Sequence, residues 1–121
     1  MIDIRENIVE LLKNVAKGIT DEIVFFYPPL QVNKPVITYY EAEHNTNVML
    51  NGTPFLEEIV YQIDVWCVKL AECDELVKRI QAAFNGCGFV CLSCSDMHDE
   101  TLIHKTMRFR GRLSADFVVY Q

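Results

Sequence analysis

FLEEIVYQIDVWCV, residues 55–68, is the stretch from which the fold can be read. Phe55, Ile59, Tyr61, Ile63, Val65 and Cys67 share one parity. Leu56, Glu58, Val60, Gln62, Asp64 and Trp66 share the other. Side chains alternate between the faces of a strand, so the first set makes an apolar face broken only by Glu57. The second face is mixed. β-Branched and aromatic residues are dense here, as a pleated, half-buried surface prefers. The stretch reads as a long central strand, antiparallel to its neighbours. One face should be covered by helices and the other left to solvent or a partner.

The bulk properties bound what such a strand can belong to. The chain has 121 residues, which suits one domain spanning 1–121 with one core. Half of the residues are hydrophobic, which separates it from disordered chains. The formal net charge of -6 argues against a uniformly sticky surface for nucleic acid, which needs clustered Lys and Arg. No apolar run approaches the ~18 residues of a membrane span. The opening MIDIRENIVELL carries early acids and periodic polar residues, unlike a signal peptide. Five cysteines without a framework spacing fit a reducing compartment.

Outward from the central strand, the rest of the chain falls into elements. Ile4, Ile8, Leu11, Leu12 and Val15 form one stripe of a helix over 3–17, with Asp3 and Glu6 spaced as a capping box and Gly18 as the stop. Residues 23–27 form a short strand ended by Pro28-Pro29, and 28–35 an irregular connection. Residues 36–43 form a second strand. Residues 44–54, HNTNVMLNGTP, are polar and turn-rich, with Asn51-Gly52 as a type I′ turn signal. They read as a long loop joining an antiparallel pair, with a small hairpin at most at its tip. Leu70, Cys73, Leu76, Val77, Ile80, Ala83 and Phe84 stripe a second helix over 70–85, closed by Gly86 and Gly88. Strands follow at 89–94, 102–110 and 113–120, the last two separated by a bend near Gly111 or fused into one. The fold class is therefore α+β: a mostly antiparallel sheet with two helices on one face, in the order α-β-β-β-α-β-β.

No residue pattern demands catalysis. Cys87, Cys91, Cys94 and His98 have a spacing resembling a zinc knuckle, and a small zinc-stabilised binding or adaptor domain is the alternative this cluster raises. If 89–94 is a regular strand, however, Cys91 and Cys94 point to opposite faces and cannot converge on one metal. They then read as small hydrophobes around a strand, with neither metal, disulfide nor redox role. His44, His98 and His104 lie in loops or at a strand start, without metal-ligand spacing. Asp64 reads as an outward-facing acid or an interface position. His104, Thr106, Arg108, Arg110 and Arg112 share one strand face, and Met107, Phe109 and Leu113 the other. The arginines could contact phosphate. The abundant acids, Glu41, Glu43, Glu57 and Glu58 among them, make a salt-bridged face or protein interface the stronger reading. An enzyme would need a pocket lined by Asp64, His104 and a cysteine.

The order of these features resembles a known group. A helix leads, a Y-x-I-D-V-W strand (61–66) runs into an amphipathic helix, that helix ends at G-C-G-F (86–89), and a late R-F-R-G-R strand (108–112) precedes an apolar C-terminus. This is similar to the tail completion proteins of long-tailed bacteriophages and prophages, the tail-to-head joining and tail terminator group. The resemblance covers roughly residues 1–120 and rests on order and spacing. It implies a structural virion protein with no enzymatic activity, catalytic residue or cofactor. Its place would be the interface of capsid connector and tail, and the host cytoplasm during assembly. Its partners would be other connector or tail-tube proteins and copies of itself in a hexameric ring around the DNA channel, with neither sequence-specific nucleic acid nor membrane. An acidic chain suits a channel through which DNA passes without sticking.

Candidate interface residues follow from these readings. They are Val48, Met49 and Leu50 in the 44–54 loop, Gln62 and Asp64 on the mixed face, and Arg108, Arg110 and Arg112 on the late strand. The loop is longer than the two to five residues usual for a hairpin, and its three apolar residues suit a docking element. No leftover aliphatic stripe predicts a tight obligate oligomer, so self-association in dilute solution should be weak.

Overall fold

The computed structural model describes residues 3–50, 53–113 and 119–120, and the side chains of these except 46–50, 53–56 and 119–120. The chain order is α1 (Arg5–Val15), β1 (Ile23–Phe25), β2 (Val36–Leu50), β3 (Thr53–Cys67), α2 (Leu70–Gly86), β4 (Val90–Met97), β5 (Ile103–Leu113) and β6 (Val119–Tyr120). The strands form one sheet in the order β1-β2-β3-β5-β4, with β6 beside β5. Among the described residues β1 and β2 pair in parallel and the other pairings are antiparallel. The fold is α+β, with both helices on one face.

β3 holds the centre, paired to β2 on one side and β5 on the other. Its apolar parity faces the helices: Ile59, Ile63, Val65 and Cys67 are fully buried and Tyr61 nearly so. Met107, Phe109 and Leu113 of β5 continue that layer. Ile8 and Leu12 from α1, with Leu76, Val77 and Ile80 from α2, close it from above, and Leu11 packs at its margin. The two helices are also joined by a polar tie. Arg79 of α2 donates to the carbonyl oxygens of Val15 and Lys17, at 3.3 and 3.2 Å, where α1 ends and its last carbonyls lack partners. Gly18, at φ +84°, then turns the chain out of the helix.

The glycine in R-F-R-G-R has a packing reason. β5 runs through Gly111 without a break, so 102–110 and the start of 113–120 are one strand. A Cβ on Gly111 would lie 2.5–3.0 Å from the ring of Phe89. Phe89 meets Phe84 edge-on at 5.4 Å, and Phe84 stacks on Phe109 at 4.3 Å. The missing side chain lets this aromatic stack settle on the sheet.

Several sequence expectations are corrected. The capping box is absent: Asp3 Oδ1 accepts from the Arg5 amide at 3.0 Å, while Ile4, the residue before the helix, makes no side-chain cap. The 44–54 loop does not exist as a loop. β2 continues to Leu50 and β3 starts at Thr53, pairing Met49 with Pro54 and Leu50 with Thr53. Val48, Met49 and Leu50 therefore belong to a long strand pair, in which the neighbouring strand supplies the hydrogen bonds that polar turn formers lack alone. The expected Asn51-Gly52 turn lies outside the described residues. β1 ends at Phe25, and Phe26 takes φ +73°, a conformation uncommon for a residue with a side chain. β4 extends past Cys94 to Met97. Of the strand expected at 113–120, residues 114–118 lie outside the described residues.

Candidate functional site: the open face of the sheet

The face of the sheet turned away from the helices carries a polar network across three strands. Register alone assembles it. Thr38 lies opposite Asp64, and Asp64 opposite Thr106; Trp66 lies opposite His104, Gln62 opposite Arg108, and Glu58 opposite Arg112. These pairs share one face because directly opposed residues of antiparallel strands point the same way.

The network can be followed atom by atom. Arg108 Nε donates to Gln62 Oε1 at 3.1 Å. Gln62 Nε2 in turn donates to both carboxylate oxygens of Asp64, at 3.3 and 3.2 Å. His104 Nε2 lies 3.6 Å from Asp64 Oδ1, beyond hydrogen-bond reach, and, among the described residues, has no hydrogen-bond partner although it is buried. The imidazole stacks on Trp66 with ring centroids 3.5 Å apart. Trp66 Nε1 donates to Thr38 Oγ1 at 3.0 Å. At the far end Arg112 Nε donates to Glu58 Oε2 at 3.2 Å.

This face is more enclosed than an exposed sheet surface. Asp64 is 6% exposed, Thr38 1% and Val60 2%. Asp64 thus points away from the helices, as its parity predicts, but is a buried acid held by its neighbours. A buried carboxylate without partners would be costly, and the Gln62 amide supplies them. Of the candidate interface residues, Gln62, Asp64, Arg108, Arg110 and Arg112 come together here. Val48, Met49 and Leu50 lie instead toward the Leu50–Thr53 end of the β2–β3 pair.

The acids named from the sequence divide between two kinds of partner. Glu58 does pair with Arg112, but Glu41 and Glu57 bind His44. His44 sits inside β2 and is 12% exposed, not a loop histidine. Glu41 Oε1 is 2.9 Å from Nδ1 and Glu57 Oε1 is 2.9 Å from Nε2. Carboxylates only accept, so both ring nitrogens donate and the ring is cationic in this arrangement. Burial works against that charge, but the hydrogen bonds and charges of Glu57 and Glu41 outweigh it and raise the pKa above the usual histidine value. Glu57, the one acid on the apolar parity of β3, is in this way neutralised.

The cysteine cluster is arranged differently from the sequence expectation. A bulge at Leu92, between Cys91 and Ser93, shifts the register of β4. Cys91 then lies opposite Phe109 and Cys94 opposite Met107, two residues of one parity. The parity argument that sent the two thiols to opposite faces fails, because a bulge adds one residue to one strand. The Cys91 thiol donates to the Ser93 carbonyl at 3.4 Å inside the bulge. Cys67 and Cys73 are the buried, core-forming thiols, whereas Cys87 and Cys94 are exposed, as is His98. Partial burial still pushes the Cys94 thiol up. Among the described residues, no group of three or more His, Cys, Asp or Glu side chains is placed to hold a metal ion.

A groove of about 520 Å³ lies elsewhere, lined by Ile4, Ile8, Leu11 and Phe89 with Asn7 and Asn14 at its rim. Among the described residues, no helix is long and apolar enough to cross a membrane. No protein-family model matches the chain. No curated protein is detectably similar to it in sequence.

Sequence reading missed the Trp66–His104 stack and the His44 clamp. The signal for the first was present: Trp66 and His104 stand the same distance in sequence from Asp64 and Thr106, respectively, so any register pairing the latter two pairs the former. Nothing in the sequence signalled the second, because it depends on the register shift between Glu41 and Glu43.

Proposed function

We propose that this chain is a structural protein of a long-tailed phage or prophage particle, acting where head and tail join, with no catalytic role. The order of sequence features supports the reading, from the leading helix through the Y-x-I-D-V-W strand to R-F-R-G-R. The structural observation that carries it is the unroofed sheet face. Gln62, Asp64, Arg108, Arg110 and Arg112 gather there on a rigid platform, without a layer of helices over them. A platform of directional hydrogen-bonding groups suits docking against a fixed neighbour. On this reading, copies of the chain close into a six-fold ring around the DNA channel, through head-to-tail contacts of one small domain. The ring forms on its docking partner, a connector or tail-tube protein, and the isolated chain associates weakly.

Complementation tests this. In a phage deleted for this gene, heads and tails should accumulate unjoined in electron micrographs, and the intact chain should restore joined, infectious particles. Arg110→Glu, which leaves the helix-covered core untouched, should restore few. Joined particles at normal yield in the deletion strain would refute the assignment. Full rescue by the Arg110→Glu chain would remove the sheet face from the docking surface.

A further inference from the structure

The two edges of the sheet are guarded unequally. β1 is three residues long, and Pro28-Pro29 follow shortly after it. A short strand and prolines are two of the devices that keep an edge from pairing with a foreign strand. β4 is eight residues long and, among the described residues, its only strand neighbour is β5. Val90–Met97 contains no proline and no lysine, and its one charged residue is Asp96. Most of it is exposed, Leu92 at 46% and Met97 at 49%. Among the described residues its protective features are the bulge at Leu92 and the charge of Asp96, and the bulge leaves the run from Ser93 to Met97 regular.

We infer that the β4 edge receives an extended, basic segment of another protein by strand addition. An edge strand presents a row of backbone N–H and C=O groups, which only another extended backbone can satisfy together. Charge selects the occupant. Asp96 is 81% exposed at its side chain, and Asp99 and Glu100 lie in the connection after Met97, where Asp99 Oδ1 already accepts from the Thr101 and Leu102 amides. Asp74 of α2 reaches the same end, where Lys105 binds it at 2.8 Å and Asp96 at 3.4 Å. Asp74 and Asp96 thus share one ammonium group at the Met97 end, and Glu100 is an exposed acid close by in sequence. At the other end, Val90 lies opposite Arg110. The incoming strand therefore carries its Lys or Arg residues at the Met97 end. A second copy of this chain fits less well, since each copy carries a net charge of -6 and the edge itself has no cation to offer. This inference rests on the edge and its charge, and holds whether or not the virion reading does.

The test uses the whole chain and a labelled peptide of about eight residues, the length of a strand, alternating Thr and Val with two Lys at one end. Amide shifts on binding should be confined to β4 and its flanks. Replacing the two Lys by Glu should weaken binding by about tenfold or more, and so should Asp96→Lys in the protein, with core amides unmoved. N-methylating one alternate set of peptide amides should abolish binding, and methylating the other set should leave it, because a strand presents alternate amides to its neighbour. The inference is overturned if the peptide does not bind at millimolar concentration. Equal binding of the Glu peptide, or indifference to both methylated sets, overturns it too. So does concentration-dependent dimerisation that Ser95→Lys abolishes, since the occupant is then a second copy.

Discussion

The two faces of the central sheet are built from the same three strands by opposite means. The helix-covered face is held by apolar burial, with Ile59, Ile63, Val65, Met107 and Phe109 fully enclosed. The open face also encloses side chains, Asp64 and Thr38 among them, but does so with a hydrogen-bonded network and a Trp66–His104 stack. Apolar contact is non-directional and tolerates small adjustments, whereas a polar network depends on register at every link. The covered face should therefore carry stability and, on the reading proposed above, the open face specificity for a docking partner.

The largest effect should come from the covered face. Ile63→Ala removes a fully buried side chain at the centre of β3 and should cost ~2–5 kcal/mol in urea unfolding. A loss under about 1 kcal/mol would mean the helices close over the gap, and the contrast between faces would weaken.

Gly111→Ala sharpens the same contrast by adding volume instead. The new methyl must displace the Phe89 ring, which is 6% exposed and packed on Phe84. Overpacking of this kind costs ~1–3 kcal/mol. The double variant with Phe89→Leu should recover part of that loss, and thermal unfolding of both proteins checks it.

The His44 clamp sits where polar chemistry intrudes on the covered side, and it should make stability depend on pH. Its folded-state pKa lies above the unfolded value of 6.5, so the folded protein holds the proton more tightly. The contribution is fully present below about pH 6.5 and is lost as pH rises through the raised folded value. Urea midpoints measured from pH 6 to 9 should fall in the intact chain and fall less in His44→Gln. Parallel curves for the two proteins would show that the clamp contributes nothing.

The smallest stability effect belongs to the open face. Arg110 is half-buried opposite Val60 in β3, and Arg110→Gln, which keeps most of the aliphatic stem, should change unfolding by no more than about 1 kcal/mol. A much larger loss would make the arginine stripe part of the scaffold.

The candidate site was legible in proportion to its dependence on simple alternation. Arg108, Arg110, Arg112 and His104 sit on one face of β5, as their spacing predicts, because β5 is regular against β3 from end to end. Gln62 and Asp64 join them for the same reason. The enclosure of Asp64 was not legible, since parity tells which way a side chain points and not how closely its neighbours shield it. Nor were the partners of Glu41 and Glu57, which a bulge in β2 decides.

By itself the sequence determined the α+β class, the central place of β3, the face of that strand turned to the helices and both helical stripes. Each is written as a repeat of period 2 or 3.6, and burial of an apolar face enforces it over many residues at once. Only the tertiary structure decided the rest: the extension of β2 and β3 through residues read as a loop, and the common side of Cys91 and Cys94. Those outcomes turn on register shifts at single residues, at Glu41/Glu43, Thr46/Val48 and Cys91/Ser93. A bulge inserts one residue without changing composition, and it is the hydrogen-bonding needs of the neighbouring strand that place it.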